Sequence, residues 1–176
     1  MIEKSGVTVA SIVASTSVAI FAALMLSSGG LTSFVYAQAQ GQGPPTITIN
    51  LTGSEEVPPV QTEATGVAQF IPMGMDSIAY SINATNIEAA TAGHIHLGAE
   101  GQNGPVIVTL FKYDTPMKGV SENGTITADK LEGLMSGKQI SDLAAAGANG
   151  TLYVNVHTEQ NPNGEIRGQG GSPSMQ

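Results

Sequence analysis

The sequence predicts an all-β domain, an antiparallel sandwich or barrel carrying one short helix. Three observations predict it. Segments such as Thr46–Thr52 and Thr151–Thr158 alternate apolar and polar residues with the period of a strand. The 22 glycines and 9 prolines among 176 residues fall between these segments as turn signals. Only one stretch, from Ser141 through three consecutive alanines, reads clearly as helix.

Taken in order, Thr46-Ile47-Thr48-Ile49-Asn50-Leu51-Thr52 puts its apolar residues on one face, as a half-buried strand does. Pro58 and Pro59 lack backbone donors and cannot continue a ladder. Further strands are expected at Thr65–Ile71, at Ser77–Ala84 and, briefly, at Gly93–Leu97. Val106–Phe111 is apolar on both faces and predicts a central strand. Another short strand is expected at Gly124–Thr127, and a helical turn over Ala128–Leu134. The helix should start on a Ser141 cap and stop at Gly147. Thr151–Thr158 is the clearest strand, and Glu165–Gly168 closes the domain.

Ahead of the domain, Val7–Leu26 is largely apolar and uncharged and follows Lys4. With small residues at Val35 and Ala37, residues 1–37 read as a signal peptide cut before Gln38. About 20 apolar residues also suffice to span a bilayer, so an uncleaved membrane anchor is the alternative. Gln38–Pro45 reads as a linker, residues 46–169 as the domain, and residues 170–176 as a loose tail. The expected location is therefore extracytoplasmic, either secreted or anchored to the outer face of the membrane. Sequons at Asn50, Asn83, Asn123 and Asn149 would make an exported chain a candidate glycoprotein.

Composition excludes several classes. A net charge of −8 argues against nucleic-acid binding, which needs clustered Lys and Arg. The absence of cysteine rules out disulfides, thiolate metal sites and a cysteine nucleophile. The glycine-rich run Gly98–Gly104 has no lysine and no following helix, so it is not a phosphate loop. It reads as a mobile loop at the mouth of a site.

The chain has three histidines, His94, His96 and His157, all in strand-like segments. Residues two apart on a strand share a face, so His94 and His96 project together, about 7 Å apart along the strand, with Ile95 turned into the core. In the later strand Tyr153, Asn155 and His157 share the face opposite Val154 and Val156. If the two strands lie close, three imidazoles converge. Three neutral imidazoles suit copper or zinc and leave a position open for water or substrate. The alternative is structural histidines that only hydrogen-bond at a sheet end.

The motifs also resemble a known family. Leu51-Thr52-Gly53-Ser54-Glu55-Glu56-Val57-Pro58-Pro59-Val60 resembles the opening signature of the chordin (CHRD) domains. Gly93-His94-Ile95-His96-Leu97-Gly98 is similar to their central histidine motif. Tyr153–Thr158 and Asn161–Gln169 resemble the closing signature. The resemblance implies an immunoglobulin-like Greek-key β-sandwich or barrel, distantly similar to the copper-zinc superoxide dismutases, in an extracytoplasmic setting. Three histidines cannot build a complete dismutase two-metal site, but a single copper centre remains open. A blue-copper centre lacks its thiolate.

Other residues carry secondary expectations. Glu165 and Arg167, the only arginine, share a face of the last strand. They read either as an outer layer around the histidines or as an ion pair, Arg167 pairing with Glu55 or Glu56. Tyr153 and Asn155 are candidates to orient a ligand or pack the sheet. Met73 and Met75 offer thioethers for Cu(I), but fit better as loop or gap-filling residues. The leading functional expectation is a single copper ion held for copper handling or small-molecule redox chemistry of the superoxide type. Two others stand beside it: an extracellular adhesion or matrix module with a protein partner, and a three-histidine zinc site with hydrolytic activity.

Overall fold

The structure is a computed structural model that describes residues 45–171. The expected leader, most of the linker and residues 172–176 lie outside the described residues. Among the described residues no helix is long and apolar enough to cross a membrane.

Eight strands form one antiparallel sheet: β1 (Ile47–Thr52), β2 (Thr65–Pro72), β3 (Ser77–Thr85), β4 (Ala90–Leu97), β5 (Val106–Met117), β6 (Val120–Thr127), β7 (Leu152–Thr158) and β8 (Ile166–Gln169). The hydrogen-bonded order is β5-β4-β7-β8-β1-β2-β3-β6. The two ends of that order, β5 and β6, are joined by a tight turn through Lys118 and Gly119 and come together, so the sheet curls into a nearly closed barrel. Side chains stitch the seam where the ladder is missing. Tyr80 of β3 donates its hydroxyl to the Leu110 carbonyl of β5, and Tyr113 of β5 donates to Glu122 of β6 at 2.9 Å.

The barrel interior holds the core. Alternation places Ile49 and Leu51 inside from β1, Ala68 and Phe70 from β2, and Ile78 and Ile82 from β3. Ile95, Val154, Val156 and Ile166 fill it from the histidine side. All four sequon asparagines, Asn50, Asn83, Asn123 and Asn149, are exposed.

Most strands lie where the alternation puts them, and four details differ. β5 is the last strand in the bonded order rather than a central one. Its apolar residues are buried because residues 128–136 fold over it, with the Glu132 amide donating to the Ile107 carbonyl at 2.9 Å. Strands β4, β5 and β6 run longer than their apolar runs, since backbone pairing continues past the last buried side chain. The helical turn expected over Ala128–Leu134 is two 3-10 turns, Ala128–Lys130 and Gly133–Met135. Helix α1 spans Ile140–Ala148, starting two residues earlier than a Ser141 cap allows. Gln139 is the cap: Asp142 Oδ2 accepts its backbone N–H at 2.9 Å. Gly147 stays inside the helix, and the chain turns at Gly150, whose φ of +67° suits glycine.

Ile82 is fully buried at the centre of the barrel. Ile82→Ala is expected to lower the unfolding free energy by about 2–5 kcal/mol. Val67→Ala on the outer face should change it by no more than about 0.5 kcal/mol. Urea denaturation of both variants checks the pair.

Candidate metal centre

β4 and β7 are neighbours, which is the condition the histidines needed. Their register sets His94 opposite Asn155, His96 opposite Tyr153 and Ala92 opposite His157. Cross-strand and diagonal neighbours on one face lie within side-chain reach. The three imidazoles therefore meet on the outer wall of the barrel, on the face opposite Ile95. Ring centroids are 5.7 Å apart for His94–His96, 4.8 Å for His94–His157 and 5.9 Å for His96–His157. His96 and His157 are buried and His94 is partly open.

Backbone carbonyls fix two of the rings. His96 Nδ1 donates to the Gly104 carbonyl at 2.8 Å, and His157 Nδ1 donates to the Pro162 carbonyl at 3.0 Å. A carbonyl only accepts, so each bond holds the proton on Nδ1 and leaves Nε2 bare. His96 Nε2, His157 Nε2 and His94 Nδ1 are all buried without a hydrogen-bond partner. One ligand atom from each ring lies within 4.8 Å of the other two. Three points so spaced share a centre within about 2.8 Å of each, so inward shifts under about 1 Å reach the 2.0–2.1 Å of a metal–imidazole bond. The donor set therefore fits a borderline metal ion. Carbonyl-oriented ring tautomers are the usual support for such ligands.

The loop Gly98–Pro105 covers this site, and it is tied down rather than free. Leu97 N–H donates to the Pro105 carbonyl and Gly98 N–H to that of Thr151. Gly104 N–H donates to the Tyr153 hydroxyl at 3.1 Å. A Cβ on Gly104 would fall 1.7 Å from the Leu97 carbonyl oxygen, so only glycine brings this carbonyl to His96.

Residues 47–169 match the CHRD domain family, 123 of the 176 residues. The chain belongs to the CHRD family. A CHRD domain is an extracellular-type module, and its barrel here is the all-β architecture that the motifs implied. No curated protein and no solved structure matches the chain.

Within the CHRD domain the remaining candidates separate. Tyr153 stacks on His96 with centroids 4.7 Å apart and planes within 10°. Arg167 lies on the same ring, its guanidinium carbon 3.5 Å from the Tyr153 centroid. The ion pair expected for Arg167 does not form: among the described residues, the one ion pair within 4.0 Å is Lys118–Glu88. Arg167 instead donates to the Ala99 and Gln102 carbonyls, Asn103 Oδ1 and Gln169 Oε1, at 3.0–3.3 Å. Glu56, one of its two expected partners, is buried and feels the Arg167 charge without touching it. Glu165 is committed elsewhere, accepting from Thr62, Thr158 and Asn161. Burial pushes its carboxyl up, but these donors outweigh that and hold it below the usual range. Asn155 Nδ2 reaches the Asn163 carbonyl at 3.4 Å, and its Oδ1 is buried without a partner. Sequence reasoning missed the Gly104 and Pro162 carbonyls, because any residue type carries a carbonyl.

Burial lowers the pKa of all three histidines. His94 falls to about 4, with His157 and His96 adding to the effect of burial. The unfolded chain therefore binds protons that the folded apo-protein refuses between about pH 6.5 and the lowered values. Stability falls as pH drops through that window. Glu56, raised to about 7 by burial, acts oppositely: the fold keeps a proton there that the unfolded chain releases. Two results are expected for the apo-protein. The His94 ring resonance should titrate near pH 4 by NMR, and His94→Ala should reduce the loss of Tm on acidification.

Proposed function

We propose that this CHRD domain is an exported module that binds one copper ion through His94, His96 and His157. The observation that carries this reading is that one ring nitrogen from each of the three histidines lies within 4.8 Å of the others, and that each ring has a buried nitrogen without a hydrogen-bond partner. An unmade hydrogen bond on a buried polar atom costs about 1–3 kcal/mol, and one bound cation satisfies all three nitrogens together. Nitrogen donors without thiolate or carboxylate favour copper over zinc in intrinsic affinity. Bound copper would supply one-electron chemistry toward a small molecule such as superoxide, or serve as cargo in copper handling. The side chains themselves orient and shelter. The Gly104 and Pro162 carbonyls set the ring tautomers, Tyr153 covers His96, and His94 is the partly exposed member of the three.

Titration of the apo-protein with Cu(II) is expected to give one site per chain with nitrogen hyperfine structure in electron paramagnetic resonance. The His94→Ala/His96→Ala/His157→Ala variant should lose that site. Absence of a tight site for both Cu(II) and Zn(II) would leave an extracellular binding module with structural histidines. A tight zinc site with weaker copper binding would make the centre a zinc one.

Tyr153 serves the site through Gly104 and His96 rather than as a ligand. Tyr153→Phe keeps the stack but removes the hydroxyl that holds the Gly104 amide. It should weaken copper binding by about 10-fold, the low end for loss of an outer partner. Competition against a chelator of known affinity measures it.

A further inference from the structure

The histidine site leaves one buried acid unused. Glu56 is 5% exposed, and its Oε1 is buried without a hydrogen-bond partner. Residue 164 makes room for it. A Cβ on Gly164 would lie 2.1 Å from Glu56 Oε1, and its φ of +138° is one side chains rarely adopt. A buried carboxyl oxygen without a partner is costly and calls for a water or a ligand.

Glu56 lines a cleft of about 630 Å³ between residues 56–61 and 160–164. That volume is in the range of small-molecule sites. Gln61, Gln160, Asn161 and Asn163 line it, together with Pro58, Pro59 and Pro162. No lysine, arginine or histidine is among its lining residues, so an anionic ligand would find no countercharge there. We infer that this cleft binds a small neutral saccharide, one hydroxyl of which pairs with the Glu56 carboxyl at its wall.

The chemistry of Glu56 selects the hydroxyl. Burial raises its carboxyl to about 7, against the pull of Arg167 and of hydrogen bonds from Asn155 and the Val57 backbone, so both protonation states are present near neutral pH. A carbonyl only accepts, so it pairs with the acid alone, and the Arg167 charge felt at Glu56 works against an ammonium. A hydroxyl donates to the carboxylate and accepts from the acid. The positive field of Arg167 at Glu56 also works against a metal cation there. Side-chain amides present a donor and an acceptor side by side, which matches vicinal hydroxyls. Proline rings offer rigid C–H faces to the apolar side of a sugar ring.

The inference does not rest on the copper reading, and the test keeps them apart. The protein is titrated in EDTA with methyl glycosides of glucose, mannose and galactose and with N-acetylglucosamine, each to about 50 mM, above a millimolar Kd. Two-dimensional NMR reads the amide shifts. At least one sugar should give saturable shifts centred on Val57, Gln61, Gln160, Asn163 and Gly164. Glu56→Gln keeps a hydrogen-bonding group but removes its charge, and should weaken binding by about 5-fold. Its dispersed spectrum reports that it is folded. Gln61→Ala and Asn163→Ala alter exposed residues, so they test the cleft if Glu56→Gln does not fold. No shifts at these positions with any sugar, or equal affinity in all three variants, would overturn the inference. So would shifts there with CaCl2 alone after removal of EDTA, which would make this an ion site.

Discussion

One buried guanidinium organises the candidate metal centre. Arg167 is 1% exposed, and burying a charge costs several kcal/mol unless its donors are met. Its planar fork meets two loop carbonyls and two side-chain oxygens, and its face meets the Tyr153 ring. The loop Gly98–Pro105 therefore cannot swing away without stranding a charge. That constraint passes inward. Tyr153, held beneath the guanidinium, stacks on His96 and accepts the Gly104 N–H. The Gly104 carbonyl then fixes the His96 ring. A lysine would bring charge but neither the fork nor the flat face.

The barrel supplies the other half of the geometry. β7 is buried along its whole length, with its valines in the core and Tyr153, Asn155 and His157 under loops on the outside. A strand buried on both faces has little freedom to slip, because a one-residue shift would exchange valines with polar side chains. The β4–β7 register is regular from Ala92 to Leu97, across both His94 and His96. Irregular pairing falls instead between β4 and β5 and at the start of β4. The sheet thus absorbs its curvature away from the β4–β7 pairing that aligns the histidines.

Period-two reasoning made the strands and the shared face of His94 and His96 legible, because half-burial writes itself into alternation. The meeting with His157 rested on one further condition, adjacency of β4 and β7, which local pattern does not contain. β5 misled because two apolar faces signal burial, not hydrogen bonding on both edges, and residues 128–136 provided the burial. The fate of Arg167 was hidden for a related reason. Pattern supplies carboxylates as partners for a lone arginine, whereas carbonyls belong to every residue and are placed only by the loop. Glu56 was visible as a residue, but its isolation depends on Gly164, more than 100 positions away.

His96 Nε2 and His157 Nε2, held bare by tautomer, and the unpartnered His94 Nδ1 are together a harder problem than one such nitrogen. A single water has two hydrogens and can donate to the two bare nitrogens, which leaves His94 Nδ1 unmet. Protonating a ring brings its own penalty, since burial and the neighbouring rings together push His94 down to about 4. The cluster therefore holds two fixed acceptors and a third unpartnered nitrogen, which protons do not readily quench at neutral pH. Lowered pKa values also remove proton competition, because imidazole binds a metal only in its neutral form. A cluster evolved for structure alone would gain by pairing its nitrogens with nearby donors, as Glu165 is paired with Thr62, Thr158 and Asn161 on the same side of the barrel. The contrast between a saturated carboxylate and an unsaturated trio of imidazoles is the strongest physical argument for a cation at the histidines.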